Sequence, residues 1–358
     1  MPKFQYPHPF RLERGSVLPE ICIDYRTYGQ LNASRDNVVW VCHALTGNAE
    51  VHDWWDGLVG PDKVLDPRRY FIVCANVLGS CYGTTGANTT DPRTDRPYGD
   101  SFPDVTIRDM VRAHCLLRDH LGLKRIRLGI GGSLGGQQLL EWAVQEPTSF
   151  DRIVPIATNA QHSAWGIAFN TAQRMALDSD HTLHDPDHPE RGWRGLEAAR
   201  SIAMLSYRTY DTYQQKQGEH NTEKLNNFRA EGYQRYQGRK LRERFDVFSY
   251  RTLSHAMDSH TLGRGRGGNE AALRSIRART MVVGIRSDLL FPPGEQVFLA
   301  SHIPEARLEI IDSPYGHDGF LIEFERLSEL LNSFLYEMPA AVPRVSVVGR
   351  GLPGSEGF

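Results

Sequence analysis

Six short apolar runs, each rich in β-branched residues, constrain the fold of this 358-residue chain more than any other feature. Continuous apolar runs of this length are typical of strands that are buried on both faces, as in a parallel sheet. Helix-like segments at 106–123 and 134–147 lie between the runs, and an alternating segment at 20–29 favours an antiparallel edge pair. The runs are residues 37–44, 70–77, 125–132, 152–158, 279–285 and 306–312. This alternation predicts an α/β fold whose mostly parallel central sheet carries helices on both faces.

The strand pattern stops after residue 158 and resumes at 279. The residues between contain three helix-like segments, which polar loops separate. We therefore predict a core formed by residues 1–158 and 279–337 and a helical cap, or lid, inserted at 159–278. Residues 338–358 form a C-terminal tail whose proline and glycine content predicts loose order.

Composition excludes several function classes. The net charge of −2 gives no electrostatic bias toward nucleic acid or an acidic membrane surface. The N-terminus lacks a signal-peptide pattern, and no apolar run approaches the roughly 20 residues of a membrane span. Five cysteines without CxxC spacing indicate neither a disulfide framework nor a zinc site. We predict a cytoplasmic protein with no nucleic-acid partner, no membrane contact and no bound metal.

A serine among glycines is the first candidate for catalysis. Gly131-Gly132-Ser133-Leu134-Gly135 fits the pattern G-x-S-x-G and lies between a predicted strand and a predicted helix. That context is typical of a nucleophile elbow, a sharp turn that exposes the serine oxygen and needs neighbours without a Cβ. Glycine-rich turns before helices also bind phosphates or serve structure alone, so the motif by itself leaves both interpretations open.

A serine hydroxyl needs a base, and in this fold the triad partners follow in the order acid, then histidine. Asp288 comes just after the run at 279–285, and His317 lies in the glycine-containing loop after the run at 306–312. Loops at strand ends are where α/β sheets place their chemistry. The sequence therefore predicts a catalytic triad of Ser133, Asp288 and His317.

Acyl transfer also needs N–H donors for the oxygen that becomes negative in the transition state. One donor is expected from the backbone of Leu134, directly after the nucleophile, and the other from the loop after the third strand. That loop reads HALTGNAE at 43–50, which indicates the backbone amide of Leu45. A plain tight turn is the alternative interpretation of this loop.

Several longer motifs, taken together, carry a family resemblance. They are HALTGN, NVLGSCYGTTGA, GGSLGG, AFNTAQR, GLEAARSIAMLSYRTY, SDLLFPP and YGHDGF. With these motifs in this order, the chain resembles the homoserine O-acetyltransferases of the α/β-hydrolase superfamily from about residue 10 to 336. The resemblance implies an acyltransferase of methionine biosynthesis that works through an acyl-enzyme in two half-reactions, a ping-pong mechanism.

The resemblance also implies roles for residues outside the triad. Asp318 matches the position that holds the amino group of L-homoserine, and Arg200 and Tyr207 match positions that bind its carboxylate and shape the pocket. Arg174 is either a site residue or a link between cap helices. Acetyl-CoA enters as the acyl-donor substrate, no cofactor is expected to stay bound, and no residue is assigned to CoA. Family members pair as homodimers through the cap helices.

Three alternative interpretations of the activity stay open beside the acetyltransferase, and they concern the donor, the acceptor and hydrolysis. Leu134 and Gln137 stand where the family frequently has methionine, which leaves the donor open between acetyl-CoA and succinyl-CoA. Some relatives acylate serine rather than homoserine. A serine esterase or hydrolase would use the same triad with water as the acceptor, whereas a non-catalytic binding protein fits an intact triad poorly.

Overall fold

The computed structural model describes residues 2–336, so the predicted tail at 338–358 lies outside the described residues. This part of the chain contains twelve strands. They are β1 (Lys3–Tyr6), β2 (Phe10–Arg11), β3 (Val17–Leu18), β4 (Ile21–Tyr28), β5 (Val38–Cys42), β6 (Phe71–Ala75), β7 (Thr90–Asp91), β8 (Arg96–Pro97), β9 (Ile126–Gly132), β10 (Phe150–Ile156), β11 (Arg279–Ile285) and β12 (Arg307–Ile311).

Eight of these strands form one sheet in the order β1-β4-β6-β5-β9-β10-β11-β12. The six strands from β6 to β12 in this order pair in parallel, whereas β4 pairs antiparallel with both β1 and β6. The six parallel strands are the six apolar runs of the sequence, and β4 is the alternating segment. The predicted α/β fold with a mostly parallel sheet is therefore confirmed.

Eleven α-helices accompany the strands in the described stretch, together with short 3₁₀ turns at Gly99–Ser101 and Gly316–Leu321. The helices are α1 (Val51–Trp54), α2 (Ile107–His120), α3 (Leu134–Gln145), α4 (Ala164–Asp178), α5 (Trp193–Tyr207), α6 (Tyr210–Gln217), α7 (Arg229–Arg242), α8 (Val247–Asp258), α9 (Asn269–Arg274), α10 (Pro293–His302) and α11 (Phe324–Tyr336). Within residues 2–336, none of the helices has the length and apolar character that crossing a lipid bilayer requires.

The apolar strands are buried on both faces because helices cover both sides of the sheet. In β5, Trp40 packs with residues of α2 and α3 in one hydrophobic cluster. Its neighbours Val39 and Val41 point to the opposite face and pack in a second cluster with residues of α11. Successive strand residues face opposite sides, so a strand between two helical layers must be apolar throughout.

Helix α2 shows how the sequence sets a helix boundary. Thr106 accepts a hydrogen bond from the Asp109 backbone N–H through its side chain, while the Asp109 carboxylate accepts one from the Thr106 N–H. This capping box satisfies two N–H groups that would otherwise lack partners at the helix start. The helix runs from Ile107 to His120, inside the predicted segment 106–123.

Helices α4 to α9 occupy the stretch between β10 and β11 that the sequence predicts as a cap. Helices α5 and α6 are separated by a break in the helical backbone. The backbone of Arg208 is extended, with φ −114° and ψ 171°, and Thr209 begins α6 with a capping box of its own. This break places Arg208 beside the carboxyl end of the sheet, since it pairs there with Asp318.

Candidate active site

Ser133 lies in the turn that joins β9 to α3, with φ 56° and ψ −124°. A positive φ is strained for a residue with a side chain, and such strain is found where a function needs it. The turn is tight enough to require glycine at Gly135, where a Cβ would lie 2.1 Å from the Cys42 carbonyl oxygen, and at Gly131, where it would meet the Gly135 backbone at 2.6 Å. The sequence thus forms the elbow because its glycines allow three backbone segments to approach closely.

The three predicted triad residues form one hydrogen-bonded chain. The Ser133 Oγ lies 2.9 Å from His317 Nε2, and His317 Nδ1 lies 2.7 Å from Asp288 Oδ2. All three side chains are buried. Their elements bring them together because β9, β11 and β12 are parallel, so their carboxyl ends meet at one edge of the sheet.

Further contacts fix the acid and the imidazole. Asp288 Oδ1 accepts hydrogen bonds from the backbone N–H groups of Leu290 and Phe291, at 2.8 and 2.9 Å. The Phe291 ring stacks on the imidazole of His317 with centroids 5.1 Å apart, and the Phe320 ring meets it edge-on at 5.4 Å. The carboxylate therefore keeps one oxygen free for His317, and the imidazole is held by one stacked and one edge-on aromatic ring.

Opposing effects set the pKa of His317. Burial disfavours the charged imidazole and lowers its pKa, while the charge and hydrogen bond of Asp288 raise it, as does the charge of Asp318. The net shift is upward from 6.5, because a neighbouring carboxylate favours the imidazolium. A base with this environment can accept the proton of Ser133 and hold it as the reaction proceeds.

Two backbone amides near Ser133 match the predicted oxyanion donors. Leu134 is the first residue of α3, where an N–H has no partner within the helix, and Leu45 lines the same cavity as Ser133. Among residues 2–336, neither amide donates a hydrogen bond to another residue. Both N–H groups are therefore available to an oxygen, and the positive end of the α3 dipole adds to their effect.

The loop that carries Leu45 is tied down on both sides of that residue. His43 Nε2 accepts a hydrogen bond from the Val77 N–H at 3.1 Å. From the helical stretch, the Arg244 guanidinium donates to the Thr46 carbonyl oxygen at 2.7 Å. These contacts hold the loop against both the sheet and the stretch between α7 and α8, so the amide of Leu45 has a fixed position.

A small cavity of about 70 Å³ opens at the Ser133 hydroxyl. It is lined by the residues that the family resemblance assigns to the acceptor, Arg200, Tyr207 and Asp318. The Arg200 guanidinium carbon lies 5.3 Å from the centre of the Tyr207 ring, and that ring lies 5.7 Å from the imidazole of His317. The structure thus brings a cation, a carboxylate and an aromatic ring together beside the nucleophile.

Burial raises the pKa of Asp318 above its ordinary value, against the lowering effect of the Arg208 and Arg200 charges. Arg208 forms an ion pair with Asp318 at 3.0 Å. Sequence analysis missed Arg208. The local signal that could have found it is its position directly after Tyr207, a residue that the resemblance assigns to the acceptor pocket.

The structure separates Arg174 from this group. Its guanidinium on α4 donates to Asp258 and to the Ser254 hydroxyl, both on α8. Of the two interpretations of Arg174, the contacts favour a link between helices, since it is absent from the residues that line the Ser133 cavity.

The arrangement as a whole has the parts that acyl transfer needs. A serine with a hydrogen-bonded base can attack a carbonyl carbon, and two free amides can stabilise the oxygen that becomes negative. A charged pocket next to the nucleophile can then bind a zwitterionic acceptor. Water can also resolve an acyl-enzyme, so the triad alone does not choose between a transferase and a hydrolase.

Comparisons with known proteins narrow this choice. The sequence model of the alpha/beta hydrolase fold matches residues 37–324. A homoserine O-acetyltransferase of Cyclobacterium marinum is 49% identical to this chain over 91% of it and 92% of the relative. A second homoserine O-acetyltransferase, from Trichormus variabilis, is 46% identical and covers 92% of each chain.

Among solved structures, a homoserine O-acetyltransferase from Bacillus anthracis superposes with a TM-score of 0.85 at 24% identity, covering 95% of this chain and 98% of that one. At this identity the superposition is informative about the fold alone.

Proposed function

The chain belongs to the homoserine O-acetyltransferases of the α/β-hydrolase superfamily, and from this we propose that it transfers an acetyl group from acetyl-CoA to the side-chain hydroxyl of L-homoserine. The product is O-acetyl-L-homoserine, an intermediate of methionine biosynthesis. The observation that carries the proposal is the hydrogen-bonded chain of Ser133, His317 and Asp288, which opens onto a cavity with Arg200 and Asp318.

In the first half-reaction, Ser133 Oγ attacks the thioester carbonyl carbon of acetyl-CoA while His317 Nε2 takes the hydroxyl proton. The Asp288 carboxylate stabilises the resulting imidazolium and fixes its orientation. The carbonyl oxygen becomes negative and accepts hydrogen bonds from the amides of Leu45 and Leu134. Collapse of this intermediate breaks the carbon–sulfur bond, and His317 returns the proton to the CoA sulfur.

In the second half-reaction, the hydroxyl of L-homoserine attacks the acetyl-enzyme. His317 takes the hydroxyl proton, the same two amides stabilise the oxyanion, and the proton goes back to Ser133 as the ester leaves. In each half-reaction His317 accepts one proton from the attacking hydroxyl and gives it to the leaving group. Acetyl transfer therefore needs no other acid or base. This is the ping-pong course that an acyl-enzyme dictates.

The acceptor's charged groups match the charges that surround the cavity. We infer that the Asp318 carboxylate binds the ammonium of L-homoserine and that the Arg200 guanidinium binds its carboxylate. Arg200 has no ion pair with a carboxylate in residues 2–336, which leaves its planar fork for a ligand. The Tyr207 ring, which lines the same cavity and contacts the Arg200 guanidinium, shapes the acceptor pocket in this proposal.

A donor and acceptor panel tests the proposal. Purified protein is incubated with acetyl-CoA or succinyl-CoA, in each case with L-homoserine, with L-serine or with no acceptor, and the release of CoA and the ester product are both measured. We expect fast CoA release that depends on homoserine and acetyl-CoA. A rate of CoA release that is the same with and without homoserine would establish a hydrolase. A preference for succinyl-CoA or for L-serine would change the substrates but keep the mechanism.

We also propose, from the family resemblance, that the protein is a homodimer through its cap helices and works in the cytoplasm. Large apolar side chains exposed on these helices support the pairing. They include Met175, Leu205, Tyr210 and Tyr236. Light scattering on protein that elutes from a size-exclusion column measures the mass in solution directly. A mass near 40.5 kDa, that of one chain, would exclude the dimer.

A further inference from the structure

A fully buried glutamine on α3, Gln138, joins the two backbone segments that carry the oxyanion donors, and the mechanism above does not use it. Its Nε2 donates to the Leu134 carbonyl oxygen and to the His43 carbonyl oxygen, each at 3.1 Å. Leu134 supplies one of the two amides proposed for the oxyanion. His43 stands two residues before Leu45, which supplies the other. We call this pair of hydrogen bonds the Gln138 bridge.

Three neighbouring groups determine which way the Gln138 amide points. The two carbonyl oxygens only accept hydrogen bonds, so the NH₂ group must face them. The Oε1 atom then lies 3.1 Å from His114 Nε2, and this nitrogen must carry the proton that Oε1 accepts. Burial lowers the pKa of His114 to about 4, so its ring is neutral near pH 7 and has a single N–H. Both N–H bonds and the oxygen of the amide therefore have partners.

The Gln138 bridge spans a place where two backbone segments touch. A Cβ at Gly135, in the first turn of α3, would lie 2.1 Å from the Cys42 carbonyl oxygen and 3.2 Å from that of His43. Within residues 2–336, the bond from Gln138 to His43 is the one hydrogen bond between α3 and the loop at 43–50. Steric contact opposes a closer approach and the hydrogen bond opposes separation. Together they fix the distance between the helix and the loop.

The other ties of this loop lead away from α3. His43 Nε2 accepts the Val77 N–H, so the ring proton lies on Nδ1, which donates to the Ala44 carbonyl oxygen at 2.9 Å. These bonds set the shape of the loop and hold it to the segment after β6. The position of the loop relative to α3, on which the separation of the two oxyanion donors depends, therefore rests on Gln138.

The separation of the two donors matters because an oxyanion hole works over a narrow range. Both N–H groups must lie about 2.7–3.1 Å from the oxygen that becomes negative, and loss of one donor costs about 10²–10³ in kcat. The same donors contribute less to the bound substrate, since its carbonyl oxygen carries less charge. A shift of the loop against α3 should thus slow the reaction more than it weakens binding.

We propose that Gln138 is a positioning residue for acyl transfer, whose bridge sets the distance between the Leu45 and Leu134 amides. The assignment rests on the proposed function, because it takes the oxygen in question to be the carbonyl oxygen of an acyl-CoA thioester. Gln138 is not among the residues that line the Ser133 cavity, so it acts through the two backbone segments and not on the substrate.

The test compares two CoA compounds that differ at the reacting carbon. A trifluoromethyl ketone analogue of acetyl-CoA accepts Ser133 Oγ at its carbonyl carbon while His317 takes the hydroxyl proton, and the hemiketal oxygen is then negative. S-ethyl-CoA has no carbonyl group and measures binding alone. Gln138→Met keeps the size of the side chain and removes the amide. In this variant we expect Ki for the ketone to rise about 30-fold and Ki for S-ethyl-CoA to stay within about twofold, because the donors are displaced and not removed.

Steady-state rates give a second readout. In Gln138→Met, kcat for acetyl-CoA with L-homoserine should fall about 30-fold, and KM for both substrates should change little.

Asn37→Leu is the matched control. Asn37 is also buried, and its Nδ2 also donates to two main-chain carbonyl oxygens, those of Gln30 and Arg69, at 2.9 and 3.1 Å. It precedes β5 whereas His43 follows that strand, which puts about 20 Å between them. We expect a similar loss of stability in Asn37→Leu, with the wild-type ratio of the two Ki values.

A double variant, Gln138→Met with His114→Leu, keeps the test decisive if the single variant is too unstable to purify. It removes the histidine N–H that would otherwise be buried without an acceptor, and replacement of both partners by apolar groups costs little stability. Stability should recover in the double variant while Ki for the ketone stays high. Recovery of ketone affinity together with stability would show a structural role alone and would overturn the assignment, as would equal changes in Ki for the two CoA compounds.

Wild-type turnover of acetyl-CoA with L-homoserine separates the two levels of the argument. With turnover present and ketone affinity unchanged in Gln138→Met, the positioning role alone fails and the proposed function stands. Without wild-type turnover of any CoA thioester, the proposed function fails and the assignment fails with it.

Discussion

The guanidinium of Arg208 lies 3.0 Å from the Asp318 carboxylate, so the carboxylate proposed to bind the acceptor's ammonium already has a cationic partner. The carboxylate is largely buried and also lies near the charge of Arg200. An incoming ammonium therefore joins a group of charges that is already partly neutralised. Asp318 remains the only carboxylate among the residues that line the Ser133 cavity, as far as the described residues show.

Replacement of Asp318 by asparagine should separate the two half-reactions. Asparagine keeps the size of the side chain but removes the charge that the ammonium of L-homoserine needs. We expect kcat/KM for L-homoserine to fall about 10- to 100-fold, the usual cost of a hydrogen bond to a charged group. The amplitude of the first burst of CoA release should persist. Rapid-mixing measurement of the burst, beside steady-state product formation, gives both values.

The control for this variant is Asp312→Asn, which removes an exposed carboxylate that pairs with Arg286. It should leave both half-reactions at wild-type rates. Equal losses of the burst and of homoserine turnover in Asp318→Asn would argue that Asp318 acts through His317, whose pKa its charge also raises.

Replacement of Ser133 by alanine tests the nucleophile. We expect acetyl transfer to fall by at least about 10⁴-fold, because no acyl-enzyme can form. The fold should persist, since alanine takes the same backbone conformation and loses one oxygen only. A thermal melt should lie within about 2 °C of the wild type. The exposed Ser301 offers a matched control, and Ser301→Ala should retain activity.

A serine-reactive phosphonate gives an independent readout of the same prediction. It should label the wild-type chain at Ser133, as a peptide map would show, and should not label Ser133→Ala. Label at another serine, or residual transfer in the variant, would remove Ser133 from the mechanism.

The strands and the triad could be predicted because each depends on local sequence. The apolar runs are continuous where helices cover both faces of a strand, as at Trp40 in β5. The order of Ser133, Asp288 and His317 follows the order of their strands, whose carboxyl ends lie at one edge of the sheet. A short pattern and one rule about parallel sheets were therefore sufficient to predict that these three side chains lie together.

The helices between β10 and β11 could be predicted only in outline. The end of α5 at Tyr207 depends on the extended backbone of Arg208, which forms its ion pair with a residue more than a hundred positions away in the chain. Contacts such as Arg244 to the Thr46 carbonyl also join distant segments. No periodicity in the sequence marks a partner at that separation, so these contacts could not be predicted from local patterns.

The pH dependence of the reaction should report the state of His317. The base must be neutral to accept a proton, and its pKa lies above the ordinary 6.5. We therefore expect kcat/KM for acetyl-CoA to rise about tenfold per pH unit below that pKa and to level above it. At lower pH the imidazole is already protonated, so activity is lost as pH falls.

Asp288→Asn should change both features of this profile. Without the carboxylate charge, burial dominates and lowers the pKa of His317, so the rising limb should move to lower pH. The plateau should fall about 10⁴-fold, since the imidazole loses its orienting partner. Asp119→Asn, an exposed carboxylate near the end of α2, should keep the wild-type profile. If the rising limb of the Asp288→Asn profile lies at the same pH as in the wild type, a group other than His317 is responsible for that limb.

The packing of the elbow predicts a change in stability. In Gly135→Ala, the new Cβ would meet the Cys42 carbonyl oxygen at 2.1 Å, and neither backbone segment can move without shifting β5 or α3. We expect the free energy of unfolding to fall by about 1–3 kcal/mol, as for an overpacked core. Urea denaturation followed by circular dichroism measures this change.

Gly232→Ala in α7 is the control, because nothing lies within 4 Å of its Cβ position and alanine is the better helix former. That variant should be as stable as the wild type or slightly more so. A Gly135→Ala protein with an unchanged urea midpoint would mean that the elbow is looser than its three backbone contacts indicate.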